Sequence, residues 1–221
     1  AGAAAGAVRT VLVDHQDSFV HTLANYLKQT GALVTTVRSG FDYALLDELR
    51  PSLVVLSPGP GNPTDFKCAA LLAELARRRL AVFGVCLGLQ AMVEYCGGEL
   101  GVLPHPQHGK PADVRLVHQH ETMLFAGLPK EFQVARYHSL YSLRDKHPPA
   151  LRVTAVTDHD GVIMAVEHET LPMSAVQFHP ESILTSPDHG LRILSNVVAS
   201  VTRGWRKGGS KGQGAGTVNG A

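Results

Sequence analysis

One cysteine between two glycines, at the junction of a buried apolar run and a helical pattern, constrains this chain most. Residues 80–85 predict a buried strand, and residues 87–96 predict a helix that ends at Gly97-Gly98. The junction reads Gly84-Val85-Cys86-Leu87-Gly88. Its glycines remove the Cβ atoms that would clash in so sharp a strand-to-helix turn. The pattern is typical of a nucleophile elbow with sulfur in place of oxygen.

Such an elbow places the Cys86 thiol at the carboxyl end of a sheet and at the N-terminus of a helix. Unpaired N–H groups and the helix dipole favour a thiolate there. The alternative interpretation is a small buried hydrophobe, which is what most intracellular cysteines are. A base elsewhere in the chain decides between the two.

Strand and helix patterns alternate through the first hundred residues. Apolar, β-branched runs predict strands at 8–14, 33–38 and 53–56, with helices over 19–30, 43–49 and 66–79. Asp17-Ser18 is the expected cap of the first helix, and Gly31 its stop. The alternation predicts an α/β fold with a doubly wound, mostly parallel central sheet and helices on both faces. Ligands of such sheets bind beyond the carboxyl ends of the strands.

Shorter strands joined by polar turns follow, and they predict a small antiparallel addition plus one more strand of the main sheet. They span 114–120, 133–136, 152–156, 161–167 and 174–178, and an amphipathic helix covers 190–201. We therefore expect one domain over residues 8–201. A flexible small-residue linker, 1–7, precedes it, and a basic glycine-rich tail, 202–221, is expected to be disordered.

Charge and cysteine content exclude several classes of protein. The formal net charge is +1, and without the four cations of the tail the chain has 16 basic and 19 acidic residues. We therefore expect no nucleic-acid partner. No apolar run approaches the roughly 20 residues that span a bilayer, so no membrane partner is expected. Three cysteines without a framework spacing argue against a secreted disulfide scaffold, which makes the cytosol the expected compartment, with a plastid as the alternative.

A candidate base follows the last predicted strand, in Gln177-Phe178-His179-Pro180-Glu181-Ser182. His179 and Glu181 are two residues apart, so at a strand end they can point the same way. A carboxylate that accepts the Nδ1 proton leaves Nε2 to serve Cys86, which is the nucleophile, base and orienter of a triad. An isolated pair of this kind is more often a structural histidine beside a surface acid. The elbow cysteine favours catalysis here.

Five segments, spread in order over nearly the whole chain, resemble the class I (triad-type) glutamine amidotransferases. Within that family the chain is most similar to the glutaminase part of anthranilate synthase. The segments are Val13-Asp14-His15-Gln16-Asp17-Ser18-Phe19, Ser57-Pro58-Gly59-Pro60-Gly61-Asn62-Pro63, Gly84-Val85-Cys86-Leu87-Gly88-Leu89-Gln90, Tyr137-His138-Ser139-Leu140 and Gln177-Phe178-His179-Pro180-Glu181-Ser182.

The resemblance implies a role for each matching residue. It makes Cys86 the nucleophile, His179 the base and Glu181 its orienter. It assigns the oxyanion hole to the backbone N–H groups of Gly59 and Leu87. A Pro-Gly-Pro-Gly loop has little backbone freedom, which suits fixed N–H donors, although alone it is also typical of a plain turn. The implied glutamine-binding positions are Gly59, Pro60, Gly61, Gln90, Ser139 and Leu140.

The implied reaction is hydrolysis of L-glutamine through a cysteine thioester, with ammonia delivered to a chorismate-binding synthase that makes anthranilate for tryptophan biosynthesis. The synthase is expected on a separate chain or as a fused domain. Leu89 and Gln16 stand where free-standing members usually carry histidine and tyrosine, so they resemble the fused versions, and the small-residue start fits a cut linker. No cofactor or metal is expected in this domain, and Mg²⁺ is expected only at the synthase site.

Several alternatives stay open. The chain could serve an aminodeoxychorismate or phenazine-type synthase, or a guanylate or carbamoyl phosphate synthase. It could also be a catalytically idle regulatory module. The pair His118 and His120 suggests a metal, but a strand with two histidines on one side is the expected reading, because no third ligand is evident.

Overall fold

The computed structural model describes residues 6–117 and 122–203; most of the predicted linker, both histidines of the 118–120 pair and the tail from 204 lie outside these ranges. The strands are β1 (Arg9–Asp14), β2 (Leu33–Arg38), β3 (Leu53–Leu56), β4 (Ala81–Val85), β5 (Leu100–Val102), β6 (Lys110–Leu116), β7 (Glu131–Arg136), β8 (Leu140–Ser142), β9 (Leu151–Thr157), β10 (Ile163–His168) and β11 (Met173–Val176). The helices are α1 (Val20–Gln29), α2 (Ala44–Leu49), α3 (Cys68–Arg77), α4 (Leu87–Tyr95) and α5 (Pro187–Arg203), with 3-10 turns at Pro63–Phe66 and Arg144–Lys146.

Nine of the strands form one sheet in the order β2-β1-β3-β4-β11-β10-β9-β6-β7. The first five run parallel to one another, and every pairing from β11 to β7 is antiparallel. β5 and β8 form a separate two-stranded ribbon. This topology confirms the predicted doubly wound fold, its antiparallel addition and the late strand, β11, that rejoins the parallel part beside β4.

Helices cover both faces of the parallel half because its strands are apolar on both sides. Leu23 and Leu27 of α1 pack in one core with Ile193 and Leu194 of α5. Leu72 and Leu75 of α3 pack in the other core with Leu89 of α4. The crossover connections therefore bring the carboxyl ends of β3, β4 and β11 to one edge, where their loops meet.

Several predicted boundaries are wrong. The N-cap of α1 is Phe19 and makes no side-chain capping bond; Asp17 Oδ1 instead accepts a hydrogen bond from the Phe19 N–H at 2.8 Å. The helix predicted over 66–79 is interrupted at Lys67, whose φ of +54° separates a 3-10 turn from α3. β6 begins at Lys110 rather than 114.

Within the two described ranges, no helix combines the length and the apolar character that crossing a membrane requires.

Candidate active site

Cys86 sits in the sharp turn between β4 and α4 with φ 53° and ψ −98°. Its N–H donates to the Val176 carbonyl at 2.8 Å, which ties the turn to β11. A Cβ at Gly84 would lie 2.6 Å from the Gly88 carbonyl carbon, and one at Gly88 would lie 2.9 Å from the Leu56 carbonyl oxygen. Both glycines are therefore required by close backbone approach, as expected for an elbow.

His179 and Glu181 follow β11, and their side chains meet. The distance from His179 Nδ1 to Glu181 Oε1 is 2.8 Å, and both side chains are buried. The other ring nitrogen, Nε2, is buried and has no hydrogen-bond partner among the described residues. Nε2 is therefore the ring nitrogen that remains available to the predicted nucleophile, Cys86.

These neighbours decide the protonation of His179. Burial alone favours the neutral ring, but the Glu181 carboxylate and the Cys86 sulfur outweigh it and raise the pKa of His179 well above its ordinary value of 6.5. An imidazolium between a carboxylate and a sulfur can hold a proton for a leaving group.

The turn that carries the pair is fixed by a single hydroxyl. Thr185 Oγ1 donates to the His179 carbonyl at 2.7 Å and accepts from the Ala135 N–H at 2.9 Å. The His179 N–H in turn donates to the Ala135 carbonyl at 3.1 Å. Strand β7 thus anchors the base to the sheet.

Two aromatic rings flank the imidazole. The ring centroid of Phe19 lies 5.1 Å from that of His179, and the Tyr137 centroid lies 4.9 Å from it, both in edge-to-face geometry. The Tyr137 hydroxyl reaches Ser182 Oγ at 3.2 Å. The rings restrict the tilt of the base and remove water from its faces.

The two predicted oxyanion-hole positions are neighbours. A Cβ at Gly59 would lie 2.9 Å from Leu87 Cδ1 and 2.7 Å from His15 Cβ. Leu87 is the first residue of α4, so its N–H has no acceptor within the helix. The Gly59 loop is held in place by a capping box between Asn62 and Asp65. The close approach of Gly59 to Leu87 is what an oxyanion hole built from both N–H groups requires.

Among the predicted glutamine-binding positions, two are joined to the cysteine. Gln90 Nε2 donates to the Leu140 carbonyl at 3.2 Å and to Gln177 Oε1 at 3.5 Å. Gln177 Nε2 lies 3.5 Å from the Cys86 sulfur. Ser139 and Leu140 are half-buried beside this chain of contacts, whereas Pro60 and Gly61 are both exposed on the outer part of their loop.

Sequence reasoning assigned no catalytic or binding role to Phe19, Tyr137, Gln177 or Thr185. The first three lie inside the five family-like segments, and that location was the only sign of a role in the sequence. Their partners, His179 or Cys86, are 42 to 160 positions away along the chain. Thr185 lies outside every motif. A cavity of about 350 Å³ opens elsewhere, at the ends of β1 and β2, and is lined by His15, Phe41 and Phe66 among others, not by the predicted triad.

Fold and site together define an α/β protein with a cysteine elbow served by a histidine–glutamate pair from the neighbouring parallel strand. Residues 11–200 match the family model for class I glutamine amidotransferases, and the chain belongs to that family.

The chain is similar over most of its length to several curated proteins. It is 56% identical over 197 residues to an anthranilate synthase of Azospirillum brasilense. The match covers 89% of this chain and 26% of the relative. It is 45% identical over 195 residues to an aminodeoxychorismate synthase of Streptomyces griseus, with 86% and 25% covered. The chain thus spans about a quarter of the length of these relatives.

A shorter relative and a solved structure agree with this placement. Anthranilate synthase component 2 of Azospirillum brasilense is 41% identical over 197 residues, with 87% of this chain and 96% of the relative covered. A crystal structure from Thermoplasma acidophilum, described as a GMP synthase component, has a TM-score of 0.78 at 24% identity. The match covers 89% of this chain and 94% of that one, and it supports the fold.

Proposed function

We propose that this chain is the glutaminase part of an anthranilate synthase: it hydrolyses L-glutamine at Cys86 and releases ammonia to a chorismate-converting synthase. The observation that carries the proposal is that the His179–Glu181 pair, joined at 2.8 Å, follows strand β11, and that the Cys86 N–H donates to the Val176 carbonyl at the end of the same strand at 2.8 Å. A nucleophile, a base and an orienter at one sheet edge are the parts that a triad requires.

The first half-reaction forms a thioester. The Cys86 thiolate attacks the carbonyl carbon of the glutamine side-chain amide, and the oxyanion is stabilised by the N–H groups of Gly59 and Leu87. Losing one such donor typically costs about 3–4 kcal/mol of transition-state stabilisation. The raised pKa of His179 keeps the imidazole protonated, so it can give its proton to the departing nitrogen, and ammonia leaves as the C–N bond breaks.

The second half-reaction regenerates the thiolate. His179, now neutral, takes a proton from a water molecule that attacks the thioester carbon. The C–S bond breaks and glutamate is released.

Two observations bear on the synthase that uses the ammonia. The 56% identity to an anthranilate synthase favours anthranilate over the aminodeoxychorismate product that the 45% relative suggests. The higher identity to a long relative than to component 2, 56% against 41%, favours a synthase domain on the same polypeptide. Chorismate chemistry and its Mg²⁺ belong to that domain in this proposal.

The test separates the two activities in the full-length protein. Cys86→Ser should abolish glutamine-dependent synthesis of anthranilate while free ammonia still supports it. Cys96→Ser, a half-buried thiol at the end of α4, serves as the control and should retain both activities. Glutamine-dependent synthesis by Cys86→Ser, or loss of both activities in the folded variant, would contradict the proposal. Aminodeoxychorismate as the product would show that the chain serves an aminodeoxychorismate synthase instead.

A further inference from the structure

Residues 138–140, between β7 and β8, have three successive carbonyl groups bound by the protein. The His138 carbonyl accepts from the Gln107 N–H at 3.0 Å, and the Ser139 carbonyl accepts from the Leu103 N–H at 2.7 Å. The Leu140 carbonyl accepts from His138 Nδ1 at 2.8 Å and from Gln90 Nε2 at 3.2 Å. Because peptide groups are planar, these bonds also fix the directions of the intervening N–H groups.

The ring of His138 is a buried link in this arrangement. The His138 side chain is only 4% exposed, and its Nε2 accepts a hydrogen bond from Arg136 Nε at 3.1 Å. A guanidinium can only donate, so Nε2 must be unprotonated and Nδ1 must carry the hydrogen. The Nδ1–H therefore donates to the Leu140 carbonyl. Arg136 selects the one tautomer that can make this bond.

Electrostatics keep that tautomer in place. Burial and the neighbouring Arg136 cation lower the pKa of His138 to about 4. Arg136 is itself buried and lies with its Nη1 3.7 Å from Asp160 Oδ2, which offsets its charge. The ring is thus neutral throughout the neutral pH range, and its hydrogen-bond pattern does not change there.

The geometry points to His138, with its tautomer set by Arg136, as a positioning residue that holds the Leu140 carbonyl and thereby keeps the Ser139–Leu140 backbone in place to bind glutamine. The two ring nitrogens of His138 bond to Arg136 and to the Leu140 carbonyl. His138 acts through Leu140, whose carbonyl it shares with Gln90. The inference rests on the proposed glutaminase function, because it assigns these residues to the binding of that substrate.

Two amide substitutions separate the two bonds of the ring. In His138→Asn the amide nitrogen can take the place of Nδ1 and donate to Leu140. In His138→Gln the amide group takes the place of Nε2, so it keeps the Arg136 contact and loses the Leu140 bond. A residue that only fills space would tolerate both changes equally, whereas a residue that positions Leu140 requires Asn.

The control is a second histidine with the same kind of partners. His147 Nδ1 meets Ser142 Oγ at 2.9 Å, and its Nε2 meets the Leu151 carbonyl at 2.8 Å. His147→Asn, whose amide takes the place of Nδ1, keeps the Ser142 contact and loses the bond to the Leu151 carbonyl, so it also removes a histidine-to-carbonyl bond, but away from residues 138–140. Melting temperatures of all variants show how much stability each change costs.

The measurement is inactivation of the protein by the diazoketone analogue of L-glutamine, which labels a reactive thiol after binding as glutamine. The rate constant at saturation, kinact, reports the thiol, and the half-saturating concentration, KI, reports substrate binding. His138→Gln should raise KI about tenfold, the effect of one lost buried hydrogen bond, with kinact unchanged. His138→Asn and His147→Asn should keep the wild-type KI.

Equal KI values for wild type and His138→Gln, or a loss confined to kinact, would overturn the inference. Absence of saturable labelling in the wild type would instead overturn the proposed function. Should His138→Gln fail to fold, Arg136→Lys tests the same claim, because a lysine cannot place the donor that selects the tautomer. That variant should also raise KI, and an unchanged KI in it would likewise overturn the inference.

Discussion

Gly190→Ala, which adds a single methyl group, tests whether the turn that carries His179 is held rigidly in place. Gly190 lies in the first turn of α5, and a Cβ built on it would stand 1.9 Å from the Pro180 carbonyl oxygen. Real Cβ contacts do not fall below 3.0 Å, so Gly190→Ala must separate the two groups by about 1.1 Å, the difference of these distances. Pro180 joins His179 to Glu181, so its displacement carries both side chains.

The sign of the stability change distinguishes this steric effect from helix propensity. Alanine in a helix interior is favoured over glycine by roughly 0.5–1 kcal/mol. Overpacking of a tight contact costs roughly 1–3 kcal/mol. The difference is a net loss of roughly 0–2.5 kcal/mol, and we expect about 1 kcal/mol in the free energy of unfolding. A misplacement of about 1 Å at the base should also lower kcat/KM for glutamine hydrolysis about 10²-fold.

The assay pairs urea unfolding with the rate of glutamate release. Arg192→Ala serves as the control because Arg192 is exposed on the same helix. The control should be as active as wild type and at least as stable. A Gly190→Ala variant that is more stable and fully active would refute the reasoning. Lower stability with unchanged kinetics would show that α5 moves instead of Pro180, and it would contradict the claim that the turn is fixed.

Two further predictions concern charge. Glu181→Gln removes the carboxylate that holds the His179 pKa above 6.5, so kcat/KM should fall on the order of 10²–10⁴-fold. The basic limb of the kcat/KM profile, where the imidazolium loses its proton, should move to lower pH, as measured by glutamate release; an unaltered profile would contradict the role of Glu181. Burial lowers the pKa of His15 from 6.5 to about 4, although the Ser57 carbonyl and Asp14 oppose the shift. The free energy that neutral His15 contributes to folding is therefore complete above pH 6.5 and is lost as the pH falls toward 4. Urea midpoints across this range should decline less steeply for His15→Gln than for wild type, and parallel declines would contradict the prediction.

Most of the fold could be predicted because its parallel half is locally encoded. Each strand of that half is a short apolar run, and each helix has a period that the sequence displays. The ribbon of β5 and β8 was missed, since three-residue strands carry no periodicity. The break at Lys67 was also missed, because a positive φ at a residue other than glycine leaves no mark in sequence.

The site divides in the same way. Cys86 lies in a short sequence pattern that by itself predicts a catalytic role, and so does the pair His179 and Glu181. The residues that hold His179 in place have no such pattern, since Thr185 and Ala135 are 50 positions apart and meet only when β7 folds against the turn after β11. The tautomer of His138 depends likewise on a buried guanidinium that sequence marks as an ordinary arginine.

Acid quenching during turnover, followed by mass spectrometry, tests the central chemistry most directly. Protein mixed with isotopically labelled glutamine and quenched within one turnover should carry one glutamyl group, and peptide mapping should place it on Cys86. The adduct should vanish in Cys86→Ser and should be absent from Cys68 and Cys96. Labelled glutamate formed with no adduct on Cys86, or an adduct on either other cysteine, would contradict the account.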